Sequence, residues 1–275
     1  MTRTWLITGA SRGLGLEIVR AALDAGDSVV ATARNADDIS SALGQASDRL
    51  MALPLDITDA EAAAGTVTRA VERFGAIDIL VNNAGQAQLG WFETISDAYV
   101  RRQFDINLFG TMNVTRAVAP HMRARRSGLI VTLSSVNGLM ANPGGSVYAA
   151  SKFALEGWME GFAQELAPLG IRSLIVEPGM LRTDFLDTRS AVHGDIDIPD
   201  YAEALRQFRA FIAEANHKQP GDPKALAARI AELARSEAPP ARFVFGEDAL
   251  EWANAKVDQL KAQIARSADL ARSAG

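Results

Sequence analysis

The chain has 275 residues, no cysteine, and only three histidines, His121, His193 and His217, which form no helical i, i+4 pair. The first absence excludes disulfides, thiolate nucleophiles and cysteine-bound zinc. The second leaves no spacing that reads as a histidine metal site, so no metal is expected. Lack of cysteine suits a reducing compartment, and the expectation is cytoplasmic. Apolar runs such as Leu129–Leu133 are of strand length, far short of the ~20 residues that cross a bilayer. The apolar stretch within residues 1–10 is too short for a signal peptide. There is no excess of positive charge: 28 Lys and Arg face 33 Asp and Glu, giving a net charge of −5 and a pI of about 5.3. That balance argues against a nucleic-acid or anionic-membrane partner.

What is present is a globular composition, 48% hydrophobic and 22% charged, arranged as alternating short and long apolar segments. Thr4–Thr8, Ser28–Thr32, Leu50–Leu55, Ile77–Asn82, Leu129–Leu133 and Ile171–Glu177 read as strands. Several are apolar at consecutive positions, the pattern of a parallel sheet covered on both faces. Leu14–Ala25, Ala60–Phe74, Ala98–Arg125 (with an interruption), Val147–Leu166 and Pro223–Ala234 read as helices. Thr58 with Glu61 predicts a capping box; Asp222 followed by Pro223 predicts an N-cap with proline at the first helical position. The alternation predicts a single-domain α/β fold: a doubly wound, Rossmann-type, mainly parallel sheet with helices on both faces. Residues 184–222 break the rhythm and read as an insertion covering the substrate; residues 248–275 read as a helical tail that frays over 271–275.

The first strand runs into Thr8-Gly9-Ala10-Ser11-Arg12-Gly13-Leu14-Gly15, and a helix follows. Glycines there permit a tight turn and let the backbone approach a pyrophosphate, which the helix N-terminus then receives. Gly9, Ser11, Arg12, Gly13, Leu14 and Gly15 are therefore candidate cofactor contacts. An NAD-preferring site carries an acidic residue near the end of the second strand. Here that stretch is Ala31-Thr32-Ala33-Arg34-Asn35. Arg34 and Arg12 offer two guanidiniums for a 2′-phosphate, which predicts NADP(H).

The G-x-x-x-G-x-G spacing resembles that of the short-chain dehydrogenase/reductase family. Asn82-Asn83-Ala84-Gly85, Tyr148-x-x-x-Lys152 and Pro178-Gly179-x-x-x-Thr183 follow in the family's order. The resemblance covers roughly Arg3–Phe185 and weakens towards Phe245. It implies that Asp56 and Ile57 meet the adenine and that Asn83, Ala84 and Gly85 line its ribose. Pro178, Gly179, Leu181 and Thr183 would position the nicotinamide carboxamide. It further implies that Ser135 holds the substrate oxygen and that Asn107 completes a catalytic set of Asn107, Ser135, Tyr148 and Lys152 through a water-linked proton relay.

Tyr148 and Lys152 are four apart on a predicted helix and project from one face. A free phenol with a pKa near ~10 carries protons poorly at neutral pH. A nearby ammonium is expected to lower that pKa, leaving Tyr148 able to give a proton to a carbonyl or take one from an alcohol. Lys152 would also hold the nicotinamide ribose. Trp91, Phe92, Met140, Val147, Met180, Leu181 and Phe185 are candidates for an apolar substrate pocket.

The function these features predict is NADP(H)-dependent hydride transfer between the nicotinamide and the carbonyl or secondary alcohol of a moderately apolar substrate. The alternatives are 3-oxoacyl-carrier-protein reduction and a non-catalytic NADP-sensing regulator. The apolar faces of Phe104–Met122 and Phe153–Phe162 predict a homo-oligomer, a dimer or tetramer.

Overall fold

The computed structural model describes residues 2–44, 47–188 and 190–273. In chain order its elements are β1 (Thr4–Thr8), α1 (Gly13–Asp24), β2 (Ser28–Ala33), α2 (Ala36–Leu43), β3 (Leu50–Pro54), α3 (Ala60–Phe74), β4 (Ile79–Asn82), β5 (Ala87–Leu89) and α4 (Asp97–Phe104). A π-helical turn (Asp105–Gly110) leads into α5 (Thr111–Arg125). There follow β6 (Gly128–Leu133), α6 (Ser146–Leu166), β7 (Ile171–Pro178), β8 (Ala191–His193), α7 (Ala202–Ala215), α8 (Pro223–Arg235), β9 (Arg242–Phe245) and α9 (Glu247–Ser273).

Seven strands form one sheet in the order β3-β2-β1-β4-β6-β7-β9, and every neighbouring pair is parallel. The period of two along each strand divides the core between its faces. Trp5, Ile7, Val29 and Val131 point to the side where α1 and α8 bring Ile18, Val19, Leu226 and Ile230. Leu6, Val30, Leu80 and Ile130 point to the other, against Val67, Val118, Met122 and Met159. The doubly wound sheet anticipated from the sequence is therefore present. The strand order reverses between β1 and β4, and in such sheets that switch point opens a crevice at the carboxyl edge of the strands.

The differences from the sequence reading have local causes. The interruption expected within 98–125 is the π turn, which carries Asn107. Helix α3 is capped by Asp59, whose carboxylate accepts from the amides of Glu61 and Ala62 at 2.9 and 3.0 Å. Thr58 is not the cap; its amide and hydroxyl donate to Asp56. The Asp222 cap of α8 is present, accepting from the Lys224 amide. Helix α2, the seventh strand β9 and the small parallel pair β5–β8 were not anticipated. Of the fraying expected over 271–275, residues 271–273 belong to α9 and the last two lie outside the described residues.

Candidate active site

A cleft of about 1180 Å³ lies at the carboxyl edge of the sheet. Every residue anticipated as a cofactor contact lines it, from Gly9, Ser11, Arg12, Gly13, Leu14 and Gly15 to Pro178, Gly179, Leu181 and Thr183. Arg34, Asp56, Ile57, Asn83, Ala84 and Gly85 line its middle reaches, and Ser135, Tyr148 and Lys152 face it too. Asn107 does not.

The glycine loop is shaped by its neighbours. A Cβ on Gly15 would sit 2.3 Å from the Gly9 carbonyl oxygen, and one on Gly9 would sit 2.8 Å from Ala84 Cα. Gly9 and Gly13 have φ of +65° and +54°, a region glycine enters without a steric cost. Asn83 braces the turn: its Nδ2 donates to the carbonyls of Thr8 and Gly9 at 2.9 and 3.0 Å. The Thr8 hydroxyl in return accepts from the amides of Asn83 and Ala84. Helix α1 begins with no capping side chain and no acidic residue in its first turn. Its leading amides and positive dipole end are thus left for an anion. These residues fit the diphosphate of a dinucleotide, with loop 9–15 holding it.

Further along, Asp56 has its carboxyl held below the usual carboxylate range, first by the hydrogen bonds from Thr58 and then by the charges of Arg34 and Arg102. Arg34 is exposed at the end of β2. The Arg12 guanidinium donates to the Ser190 hydroxyl at 2.6 Å, tying the glycine loop to the segment that precedes β8.

The chemistry-bearing side chains are buried. Ser135, Tyr148 and Lys152 are 9%, 7% and 6% exposed. Strand β6 ends just before Ser135, and the first turn of α6 presents Tyr148 with Lys152 one turn on. The Ser135 hydroxyl accepts from the Asn137 amide at 3.1 Å. Lys152 Nζ donates to the Leu133 carbonyl at 2.7 Å and lies 5.9 Å from the centroid of the Tyr148 ring. Burial pushes the phenol up to about 12, against a smaller lowering from Ser135. Burial also brings the Lys152 ammonium down to about 8, against the opposing charge of Glu156. The expectation that Lys152 lowers the phenol's pKa is not met in the chain by itself: the shift is upward, set by desolvation of the phenolate and opposed only by Ser135. Tyr148 is therefore a neutral phenol at pH 7.

Asn107 stands behind these groups, 1% exposed. Its Nδ2 donates to the Gln86 carbonyl at 3.0 Å and the Ser151 hydroxyl at 3.2 Å, and its Oδ1 accepts from the Gln86 amide at 3.0 Å. Its side chain thereby couples the π turn to α6 and to the segment before β5.

Of the anticipated apolar wall, Met180, Leu181 and Phe185 face the cleft. Phe92 is 64% exposed, and Trp91 instead packs edge-on against Phe208, with ring centroids 5.7 Å apart. Phe208, Phe211 and Ile212 of α7 and Trp252 of α9 complete the wall. The spacing of Phe208, Phe211 and Ile212 at i, i+3 and i+4 is a helical-face signal that was available in the sequence. Near the rim, Asp184, Asp187 and His217 bring their ligand atoms within 4.8 Å of one another. Asp187 already accepts from Asn216 and contacts the His217 ring.

Residues 3–193 match the sequence model of the short chain dehydrogenase family. The chain belongs to the short-chain dehydrogenase family. It is 35% identical over 267 residues to the oxidoreductase BOA17 of Botryotinia fuckeliana (strain B05.10), covering 95% of each chain. It is 34% identical over 242 residues to a 3-ketodihydrosphingosine reductase of Bacteroides thetaiotaomicron, covering 88% of this chain and 87% of the other. The crystal structure of a short-chain dehydrogenase from Streptomyces avermitilis superposes with a TM-score of 0.91 at 37% identity, covering 100% of each chain. As a short-chain dehydrogenase the protein is an oxidoreductase. No helix among the described residues is long and apolar enough to cross a membrane.

Proposed function

We propose that this short-chain dehydrogenase is an NADP(H)-dependent carbonyl reductase or alcohol dehydrogenase for a moderately apolar ketone or secondary alcohol. The observation that carries the reading is that Ser135 and Tyr148 line the same cleft, with the Lys152 ammonium buried beside the Tyr148 ring. The dinucleotide, when bound, supplies or accepts the hydride exchanged with the carbonyl carbon. Tyr148, uncharged at neutral pH, donates its proton to the carbonyl oxygen of a ketone. Ser135 holds that oxygen by a hydrogen bond that strengthens as charge develops on it. Lys152, pinned by the Leu133 carbonyl, holds positive charge beside the phenol as its proton departs. Asn107 keeps α6 and the π turn in register through Gln86 and Ser151.

Preference for the 2′-phosphate is supported by Arg34, exposed at the cleft where NAD-preferring sites carry a carboxylate. Arg12 is the second guanidinium within the glycine loop. The apolar substrate is supported by the wall of Leu89, Phe185, Phe208, Phe211, Ile212 and Trp252. Helix α7 carries three of these, which supports a role for residues 184–222 as a cover. The name of the Bacteroides relative also points to a keto substrate. The complete set of Ser135, Tyr148 and Lys152 favours turnover over a purely sensing role. We assign the cytoplasm as the site of action and association of copies through the π turn with α5 and through α6, where Phe109 of the turn and Phe153 of α6 are 52% and 43% exposed. Light scattering of the purified chain tests the latter; a monomer at all concentrations contradicts it.

The experiment that tests the function is to mix the purified chain with NADPH or NADH and a panel of ketones and follow reduced-nicotinamide absorbance. Consumption dependent on an apolar ketone, and faster with NADPH, is expected. Binding of NADPH with no turnover of any ketone favours the sensor.

A further inference from the structure

Directly behind Lys152 lies a cluster of charges that the proposed reaction does not use. Glu156 is one turn further along α6, and its side chain is 6% exposed. Glu177, near the end of β7, has a side chain 1% exposed. Arg242 of β9 forms ion pairs with both and with Glu160, at 2.5 Å to Glu177 and 2.8 Å to Glu160. One guanidinium nitrogen of Arg242, Nη1, reaches both carboxyls, which brings the two buried acids side by side. Two ionised carboxylates have no proton to offer each other.

The unpaired atoms locate the missing proton. Glu156 Oε1 and Glu177 Oε2 are both buried and have no donor. One proton carried by Glu177 and donated to Glu156 satisfies both. Two ionised carboxylates buried side by side repel each other and are costly to desolvate, and the shared proton removes one of the two charges. Burial and the neighbouring Glu156 push the Glu177 carboxyl up to about 7, although Arg242 pulls the other way.

We infer that Glu156 and Glu177 are positioning residues of the acid–base centre: a proton-sharing carboxyl pair, clamped by Arg242, that holds the Lys152 ammonium charged. The inference rests on the Tyr148–Lys152 reading above. The groups turned toward the pair are Lys152 and Glu160 of α6, Arg242 of β9, and the neutral Ser134 hydroxyl after β6. Asp248 of α9, nearby, is engaged by the Met180 amide at 2.8 Å. Ser134 Oγ and Glu156 Oε1 lie 2.6 and 2.9 Å from the point where a Cβ on Gly138 would sit. Glycine at that position therefore lets the Ser134 hydroxyl and the Glu156 carboxylate share one small space. Lys152 is opposed in its burial chiefly by Glu156, so removing that charge acts on the ammonium directly.

Two measurements on the full chain test this without cofactor or turnover, so their failure is distinguishable from failure of the proposed activity. The chain has only five lysines, so ¹³Cε-lysine NMR resolves Lys152, assigned by loss of its signal in Lys152→Arg. The expected titration is near about 8 in the native chain. It should fall by about one pH unit or more in Glu156→Gln and be largely restored in Glu156→Asp. An unchanged Lys152 titration in Glu156→Gln overturns the inference. The second measurement needs no folded Glu156 variant. Infrared difference spectra of the native chain should contain a protonated-carboxyl band that disappears as pH rises through about 7, and Glu177→Gln should lack it. A native chain without such a band above the ordinary carboxylate range also overturns the inference.

Discussion

The Lys152 ammonium donates to the carbonyl oxygen of Leu133, the last residue of β6, at 2.7 Å. That bond fixes the cation to the sheet edge two residues before Ser135, beside the Tyr148 ring. A buried cation held this way has a defined effect on stability. Its folded pKa of about 8 lies below its ordinary 10.5. Below about 8 both folded and unfolded chains carry the proton, and the burial penalty is fully present. Between about 8 and 10.5 the unfolded chain binds more protons, so this group's contribution to stability rises with pH. Lys152→Met removes that slope. Urea midpoints of the two chains should diverge in favour of the native one as pH rises through that window; parallel curves contradict the shift.

Glu177 has the opposite sign. Its folded pKa of about 7 lies above its ordinary 4.5, so its contribution to stability is fully present below about 4.5 and is lost as pH rises to about 7. Glu177→Gln should flatten this part of the stability profile. Retention of the same fall with pH in the variant assigns the slope to another group.

Gly15 has no room for a side chain, since its Cβ would meet the Gly9 carbonyl oxygen at 2.3 Å and Asn83 Nδ2 at 2.5 Å. Gly15→Ala should lower stability by about 1–3 kcal/mol, the usual cost of overpacking, and weaken NADPH binding with it. Thermal unfolding and fluorescence titration check both. Unchanged values in both would mean that the loop opens without penalty.

Arg34→Asp should move cofactor preference from NADP toward NAD. A charge-assisted hydrogen bond contributes about 1.5–3 kcal/mol, so the ratio of kcat/KM for the two coenzymes should change by roughly 10- to 100-fold. An unchanged ratio removes Arg34 from the 2′-phosphate site.

Much of this could be read before any coordinates, for reasons visible in particular residues. The consecutive apolar runs at Thr4–Thr8 and Leu129–Leu133 are central strands covered on both faces, where composition and burial agree. The glycine loop, Tyr148 and Lys152 were legible because the turn and helix place them by local geometry alone. Strand β9 was not: Arg242-Phe243-Val244-Phe245 is a short edge segment, and its pairing with β7 is non-local. Asp59 displaced Thr58 as a cap because both can accept, and only the chain's entry direction decides between them. The direction of the Tyr148 shift is not legible in the sequence, because it is set by burial, which sequence does not report. The Glu156–Glu177–Arg242 cluster joins residues from three elements, so no spacing revealed it.

The most direct measurement is the steady-state rate of NADPH consumption with an apolar ketone, compared between the native chain and Tyr148→Phe at matched NADPH occupancy. The proton donor is lost while the cleft keeps its shape, so kcat should fall by about 10²–10⁴ with NADPH affinity nearly unchanged. A Tyr148→Phe variant that turns over at a rate near the native one would contradict the account.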